Sequence, residues 1–197
     1  KNGGTTGHNT DCSGFRQAFS EALGEDAARD RAVLLLGGGG AGRAVAFALM
    51  SLGVRTLKIF DQDGARATGL CADLTLRFGA GRCERLSDPE AAAASVAGIV
   101  NATPVGMAGY PGVPLPTRLI QPTQFVADVI YTPIDTEFVL AARGKGCRTM
   151  NGGGMCVHQA VDAFRHFTGW TPDVERMQRR FETALAEREA REMSSRA

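Results

Sequence analysis

The feature that most constrains the fold is a glycine run placed directly after a short apolar segment. Residues 32–36, AVLLL, have the length and composition of a buried strand, and GGGGAGRA follows at once. Gly37, Gly39 and Gly42 supply a GxGxxG pattern, in which the glycines allow a tight turn, backbone approach to a pyrophosphate, and close packing of the next helix. The N-terminus of that helix also presents unpaired N–H groups and a positive dipole end. The pattern predicts a dinucleotide-binding βαβ unit; a merely flexible glycine turn is the alternative.

Short apolar runs alternate with longer helical stretches along the rest of the chain, which is typical of an α/β protein with a parallel sheet. We predict a Rossmann-type doubly wound sheet with helices on both faces. The predicted strands are 32–36, 56–60, 82–86, 98–101, 125–129 and 148–150. The predicted helices are 11–23, 42–52, 65–78, 88–96, 136–145 and 155–167, followed by a last helix opened by Pro172. We divide the chain into a bridging loop and helix (1–24), a dinucleotide-binding domain (25–152) and C-terminal helices (153–197).

Composition and charge argue against several classes of partner. The net charge is +1 with no block of Lys or Arg, so we expect neither nucleic acid nor an anionic membrane as a partner. No apolar stretch is long enough to span a bilayer, and the polar first residues are not a signal peptide, which favours a cytoplasmic protein. The five cysteines are odd in number and never spaced as CxxC, so we expect reduced thiols and no zinc. The three histidines have no partner at metal-ligand spacing, so we expect them to be structural and no metal to be needed.

The end of the second predicted strand bears on the choice of cofactor. Asp61 follows LKIF at the distance where a carboxylate accepts hydrogen bonds from the adenosine ribose. A 2′-phosphate would meet a like charge there, and Gln62 lacks the guanidinium group that phosphate recognition favours. We therefore predict NAD rather than NADP, although Asp61 has the alternative role of capping the following turn. Arg66 either stacks on the adenine or faces solvent.

Five segments occur in an order and spacing that resemble the shikimate dehydrogenases. They are GHNTDCSGF at 7–15, GGGGAGRA at 37–44, VNATPVGM at 100–107, ADVIYTPIDT at 127–136 and NGGGMCVHQAVDAF at 151–164. The overall pattern is most similar to the NAD-preferring quinate/shikimate dehydrogenases, and Asp61 with Gln62 supports this subgroup, because NADP-using members show an Asn-Arg type of pair. The resemblance implies an oxidoreductase that interconverts shikimate and 3-dehydroshikimate, or quinate and 3-dehydroquinate, with NAD. It implies a cyclic hydroxyacid as substrate, and it allows a homodimer.

The resemblance also assigns roles to individual residues. It implies that Asp11 pairs with a catalytic lysine, whereas Asp11 considered alone reads as a helix cap or a first-turn dipole partner. Tyr131 and Gln159 match residues that reach the substrate, with Gln159 the firmer match. The cofactor contacts expected from the fold and from the resemblance are Gly37, Gly38, Gly39, Gly40, Ala41, Gly42, Asp61, Gln62, Arg66, Asn101, Ala102, Thr103, Pro104, Val105, Met107, Val129, Gly152 and Met155. Gly152, Gly153 and Met155 match a turn beside the nicotinamide, although Met155 alone is equally typical of core packing.

The catalytic lysine of the family has no counterpart in this sequence. Lys1, Lys58 and Lys145 lie outside the matching segments, so we expect the lysine to come from an N-terminal substrate domain that is missing here, and this fragment to be inactive alone. Two alternatives stay open: a non-catalytic NAD-binding module, against which Asp11 and Gln159 argue, and an aminoshikimate-type dehydrogenase. We also expect an exposed apolar patch on helix 11–23 and the last helix, or an oligomer that covers it.

Overall fold

The computed structural model describes residues 3–194 and contains a six-stranded parallel sheet in the order β3-β2-β1-β4-β5-β6. The strands are β1 Ala32–Leu36, β2 Thr56–Phe60, β3 Cys83–Arg85, β4 Gly98–Asn101, β5 Phe125–Asp128 and β6 Arg148–Met150. The helices are α1 Thr10–Leu23, α2 Gly40–Ser51, α3 Gly64–Phe78, α4 Glu90–Ala93, α5 Glu137–Gly144, α6 Gly152–Thr168 and α7 Val174–Ser194, with single 3₁₀ turns at Glu25–Ala27 and Thr117–Leu119. The strand order reverses between β1 and β4, which is where doubly wound sheets bind ligands. The predicted fold class is confirmed.

Both faces of the sheet are covered, and the side chains of β1 show how. Val33 and Leu35 point into one core, which α1, α2 and α3 complete, while Leu34 and Leu36 point into a second core closed by α5. All four are at most 1% exposed. A strand buried on both sides reads as a continuous apolar run, and this is why AVLLL identified β1. None of the described helices combines the length and the apolar content needed to cross a membrane.

Helix α1 lies against α6 and α2, so its apolar face is buried within this chain. Phe15 and Phe19 are fully buried, and a Cβ at Gly14 would lie 2.7 Å from the backbone nitrogen of Gln159. The expectation that this face is exposed is therefore wrong. The two most exposed aromatic side chains, Phe167 (87%) and Trp170 (76%), lie instead at and just after the end of α6.

Helix α6 begins at Gly152, three residues before the predicted start, and the expected glycine turn is its first turn. Asn151 caps the helix, because its side-chain oxygen accepts a hydrogen bond from the Gly153 backbone N–H (3.2 Å). A Cβ at Gly152 would run into the carbonyl of Val129, and one at Gly154 would lie 3.1 Å from Cβ of Ala18. Three glycines are unfavourable in a helix by propensity, but here only glycine fits between the helix and its neighbours.

The cysteines correct a further expectation. Cys71 of α3 and Cys83 of β3 form a disulfide with their Cα atoms 5.4 Å apart, while Cys12, Cys147 and Cys156 are free. The prediction of reduced thiols is wrong for the bonded pair. Counting cysteines could not reveal it, because the pair exists only where α3 packs back against the edge strand that follows it.

Candidate dinucleotide-binding cleft

The carboxyl ends of the central strands open into two adjacent cavities that share one wall. The cavity of about 380 Å³ lies at the ends of β1 and β2, and the cavity of about 510 Å³ lies at the ends of β4 and β5 beside α6. Ala102, Thr103 and Pro104, which follow β4, line both. We call these the first and the second cavity. Together they form one crevice at the position where the strand order reverses.

The glycine loop forms the floor of the crevice. Gly37 has φ +98° and a Cβ there would lie 2.7 Å from the Ala102 carbonyl oxygen, while a Cβ at Gly42 would collide with the carbonyl of Gly37. Gly39 and Gly40 instead face open space. Because α2 begins at Gly40 without a side-chain cap, its first N–H groups have no partner within the helix and are available to a bound anion. The loop has the shape that approach of a pyrophosphate requires.

Asp61 lies in the first cavity and already accepts two hydrogen bonds. Its Oδ2 accepts from the Gly38 N–H (2.7 Å) and its Oδ1 from the Asp63 N–H (2.8 Å). A carboxylate has about four acceptor positions, so two remain for a ligand. Asp63 caps α3 by accepting from the Ala65 N–H (3.0 Å), and Asp61, by accepting from the Asp63 N–H, also caps the turn before α3, as its alternative role predicted.

The predicted neighbours of Asp61 also line the first cavity. Gln62 is exposed, and Arg66 forms an exposed ion pair with Asp63 (3.3 Å) rather than with Asp61. Val105 lines this cavity as well. The first cavity thus combines the Asp61 carboxylate near the glycine loop with the ion pair of Asp63 and Arg66.

The second cavity gathers residues from distant parts of the chain. Asp11 from the first turn of α1, Gln159 from α6 and Tyr131 from the segment after β5 all line it. Asn9 caps α1 by accepting from the Cys12 N–H (3.0 Å), so Asp11 is not the cap. Tyr131 is 45% exposed and packs edge-on against Phe181 of α7, with ring centroids 6.3 Å apart.

The second cavity is also lined by other predicted residues and by several residues that we did not predict. The predicted ones are Ala41, Met107, Val129, Gly152 and Met155. The additional ones are Ala108, Ile130, Thr132, Cys156 and Arg188. Four predicted cofactor residues, Gly38, Gly40, Gly42 and Asn101, line neither cavity. Arg188 could not be found from the sequence, because nothing in its surroundings indicates that α7 passes the mouth of the cavity.

A buried hydrogen-bond network holds the wall between the cavities. Asn101 is fully buried, and its Oδ1 accepts from the Thr103 N–H (3.0 Å) and the Thr103 hydroxyl (2.7 Å). Its Nδ2 donates to the Val105 carbonyl (3.2 Å) and to Oδ1 of Asp128 (3.1 Å). Asp128 also accepts from the Ile130 N–H (3.0 Å) and, through Oδ2, from the Thr136 hydroxyl (2.8 Å).

The environment of Asp128 is unusual for an acidic residue. It is fully buried at the end of β5, and this burial raises the pKa of its carboxyl group while the hydrogen bonds from Ile130, Thr136 and Asn101 oppose the rise. We did not predict a role for it. The available signal was a carboxylate that ends an otherwise apolar strand, FVAD, at the edge where ligands bind.

The histidines lie away from the two cavities. His8 stacks on His166 with ring centroids 3.8 Å apart, and His158 lies 2.8 Å from a carboxylate oxygen of Glu21. Within residues 3–194, no three or more His, Cys, Asp or Glu side chains are grouped so that they could hold a metal ion.

Comparison with known proteins gives consistent relatives. No protein-family model matches the chain. The shikimate dehydrogenase (NADP(+)) of Streptomyces avermitilis is 47% identical over 180 residues, which are 90% of this chain and 61% of that protein. The quinate/shikimate dehydrogenase (NAD(+)) of Corynebacterium efficiens is 43% identical over 183 residues, which are 92% of this chain and 64% of that protein.

A solved structure agrees with these sequences. Quinate dehydrogenase from Corynebacterium glutamicum in complex with NAD superposes with a TM-score of 0.86 at 43% identity, over 92% of this chain and 64% of that one. The chain therefore spans less than two thirds of the length of the relatives it matches.

Proposed function

We propose that this chain, which belongs to the shikimate and quinate dehydrogenase family and corresponds to its dinucleotide-binding part, binds NAD in the crevice and serves the oxidation of a cyclic hydroxyacid. The observation that carries the proposal is the position of Asp61, whose carboxylate adjoins the glycine loop and keeps two acceptor positions. Its relatives include enzymes named for NADP and for NAD, so the preference must come from this chain's own residues.

The first cavity is the proposed site of the adenosine half. Asp61 accepts from the ribose hydroxyls, and it disfavours a 2′-phosphate by charge repulsion. Arg66 does not offset this repulsion, because Asp63 already neutralises it at the cavity rim. Gly39 and the start of α2 hold the pyrophosphate between the two cavities.

The second cavity is the proposed site of the nicotinamide and the substrate. When bound, NAD supplies the hydride acceptor, and this chain supplies orientation and exclusion of water. Met107 and Met155 pack against the ring, and Ala102, Thr103 and Pro104 separate it from the adenosine half. Gln159 and Tyr131 bind polar groups of the substrate, which the resemblance implies is shikimate or quinate.

Asp11 is the one carboxylate lining the second cavity, within the part of the chain that the structure describes. We propose that it holds and polarises a lysine that exchanges the proton of the substrate hydroxyl. Neither described lysine can serve, because Lys58 pairs with Glu84 (3.2 Å) and Lys145 donates to the carbonyls of Thr117 and Ile120. We therefore propose that the described segments 3–24 and 153–194 form the walls that meet a substrate domain, and that this chain is inactive alone.

A second candidate is a non-catalytic NAD-binding module, although Asp11 and Gln159 in the second cavity argue against it. Both candidates predict NAD binding, and only the first predicts turnover once a lysine is supplied. A homodimer and a cytoplasmic location complete the proposal, and sedimentation of the purified chain tests the dimer.

Calorimetric titration of the chain with NAD and with NADP tests the cofactor. We expect NAD to bind at least tenfold more tightly, a difference of about 1.4 kcal/mol. Asp61→Ser should weaken NAD and reduce this preference, whereas Asp88→Ser, which removes a carboxylate that also accepts from the N–H two residues on (Glu90, 2.9 Å) but lines neither cavity, should leave the preference intact. Tighter binding of NADP by the unmodified chain would refute the cofactor assignment.

A chimera tests the enzyme. The chain is joined to the part of the Corynebacterium efficiens enzyme that it does not match, and NADH formation is followed with shikimate and with quinate. We expect turnover by the chimera, and loss of at least a hundredfold in kcat/KM with Asp11→Asn. A chimera that binds NAD but turns over neither substrate supports the binding module.

A further inference from the structure

Asp128 is a buried carboxylate whose described partners are all uncharged donors. The groups packed on it are the Asn101 amide from β4, the Ile130 N–H from its own segment, and the Thr136 hydroxyl before α5. Burying a carboxylate without a cationic partner is unfavourable even when it is hydrogen-bonded. The amide and the hydroxyl that face it have other partners as well, so the arrangement extends beyond Asp128 itself.

The Asn101 amide passes the effect of Asp128 on to the cavity wall. A side-chain amide can be turned by 180°, which exchanges its oxygen and its nitrogen. Asp128 and the Val105 carbonyl only accept, so both hold Nδ2 of Asn101, while the Thr103 N–H and hydroxyl donate to its Oδ1. Of these partners only Asp128 lies outside the segment 101–105, so among them it alone ties the amide to β5. The Thr103 hydroxyl in turn accepts from the Val105 N–H (3.2 Å).

We propose that Asp128 is a positioning residue for the dinucleotide: it anchors the Asn101 amide to β5 and, through that amide, holds in place the segment 102–105 that divides the two cavities. The inference rests on the proposed NAD site and deepens it. Asp128 lines neither cavity, so its effect on a ligand passes through Asn101 and Thr103.

The other end of the same strand offers a matched control. Gln124 immediately precedes β5, is 4% exposed, and donates to the carbonyls of Ala93 (2.6 Å) and Val96 (2.9 Å) while accepting from the Gln121 N–H (2.8 Å). It makes as many hydrogen bonds as Asp128, but none leads to a cavity. Loss of either network should lower stability, but only loss of the Asp128 network should change the affinity for NAD.

The test measures NAD affinity and thermal stability for Asp128→Ala, Asp128→Asn and Gln124→Ala. We expect Asp128→Ala to weaken NAD by about 30-fold, or about 2 kcal/mol, because the Asn101 amide is released. Asp128→Asn keeps an oxygen that can accept from Asn101 and Ile130 and an amide that can donate to the Thr136 oxygen, so it should restore affinity to within about threefold. Gln124→Ala should lower Tm as Asp128→Ala does, with NAD affinity unchanged.

Thr136 covers the case in which Asp128→Ala does not fold. Thr136→Val removes one donor to Asp128 and should weaken NAD about threefold, whereas Thr136→Ser keeps the hydroxyl and should not. NAD affinity within twofold of the unmodified chain for Asp128→Ala, or for Thr136→Val where Asp128→Ala does not fold, or an equal loss in Gln124→Ala, would overturn the proposal. If the unmodified chain does not bind NAD, or if Asp61→Ser leaves its affinity unchanged, the proposed NAD site fails instead.

Discussion

The parallel strands have their amino ends on one side of the sheet and their carboxyl ends on the other, here called the amino edge and the carboxyl edge. Buried polar groups are hydrogen-bonded at both, yet of the two only the carboxyl edge adjoins the cavities suited to a dinucleotide. At the amino edge, Gln124 and Lys145 donate to carbonyl groups of the loops before β4 and β5. At the carboxyl edge, Asp128 and Asn101 hold a segment that is itself a cavity wall. Burial and hydrogen bonding alone therefore do not distinguish a functional network from a structural one. What distinguishes them is whether the last hydrogen-bonded group faces protein or an open cavity.

The strongest test of this contrast is Gly39→Leu at the carboxyl edge. The backbone of Gly39 (φ −70°, ψ −162°) suits any residue and its Cβ direction is open, so the fold should tolerate the change. The new side chain would fill the approach of the pyrophosphate and weaken NAD by about 100-fold, or about 2.8 kcal/mol. Calorimetry and a melting curve check both parts. Gly69→Leu, at an open glycine on α3, is the matched control; a similar loss of affinity there would show that the effect is not local.

Lys145→Met at the amino edge should instead lower stability and leave the affinity for NAD unchanged. It leaves the carbonyls of Thr117 and Ile120 without the ammonium donor and should lower the free energy of unfolding by about 2 kcal/mol. This corresponds to a Tm lower by about 6 °C for a chain of this size. NAD affinity should stay within twofold. A fall in affinity comparable with that of Asp128→Ala would break the contrast between the edges.

The smallest expected effect comes from the ion pair of Asp135 with Arg143, which follows β5 but lines neither of the two cavities. The hydrogen bonds from Arg143 hold the pKa of Asp135 below its ordinary value of 3.8. Because the folded-state pKa is the lower one, the pair stabilises the fold above about pH 4, and this contribution is lost as the pH falls through the folded-state pKa.

Arg143→Gln should therefore lower stability by only about 0.5 kcal/mol at pH 7, since the pair is partly exposed and screened. Melting curves of the variant and the unmodified chain should converge as the pH is lowered below 3.8. A difference in Tm that grows on acidification would contradict the proposed ion pair. A change in NAD affinity at pH 7 would show that a polar group at the carboxyl edge affects the ligand even when it does not reach a cavity.

Residue patterns predicted the central strands well, because β1, β4 and β5 are buried on both faces. The bounds of β1, β2, β4 and β6 agree with the predicted ranges. The short β6, RTM, is partly exposed, and Gly146 and Gly152 on either side mark it rather than an apolar run. Where tertiary packing overrides local preference, the prediction failed. The first turn of α6 contains three glycines that favour a loop by propensity, and contacts with Val129 and Ala18 decide otherwise.

The candidate site was predictable where a single residue carries the chemistry and not where a network does. Asp61 and Asp11 stand at the ends of recognisable elements, and both line the expected cavities. Asn101 was expected to contribute to the cavity, but it acts through buried side-chain bonds to Thr103 and Asp128. The bond to Asp128 joins residues 27 positions apart, so no local pattern contains it.

The three residues shared by both cavities have an energetic consequence for two ligands. Ala102, Thr103 and Pro104 line both cavities, so they would touch a dinucleotide that spans the crevice and also a substrate that shares the second cavity with it. The buried hydrogen bonds of Asn101 already order this segment, so neither ligand loses much binding free energy to its conformational entropy. By thermodynamic reciprocity, the factor by which the dinucleotide strengthens its neighbour equals the factor by which that neighbour strengthens the dinucleotide.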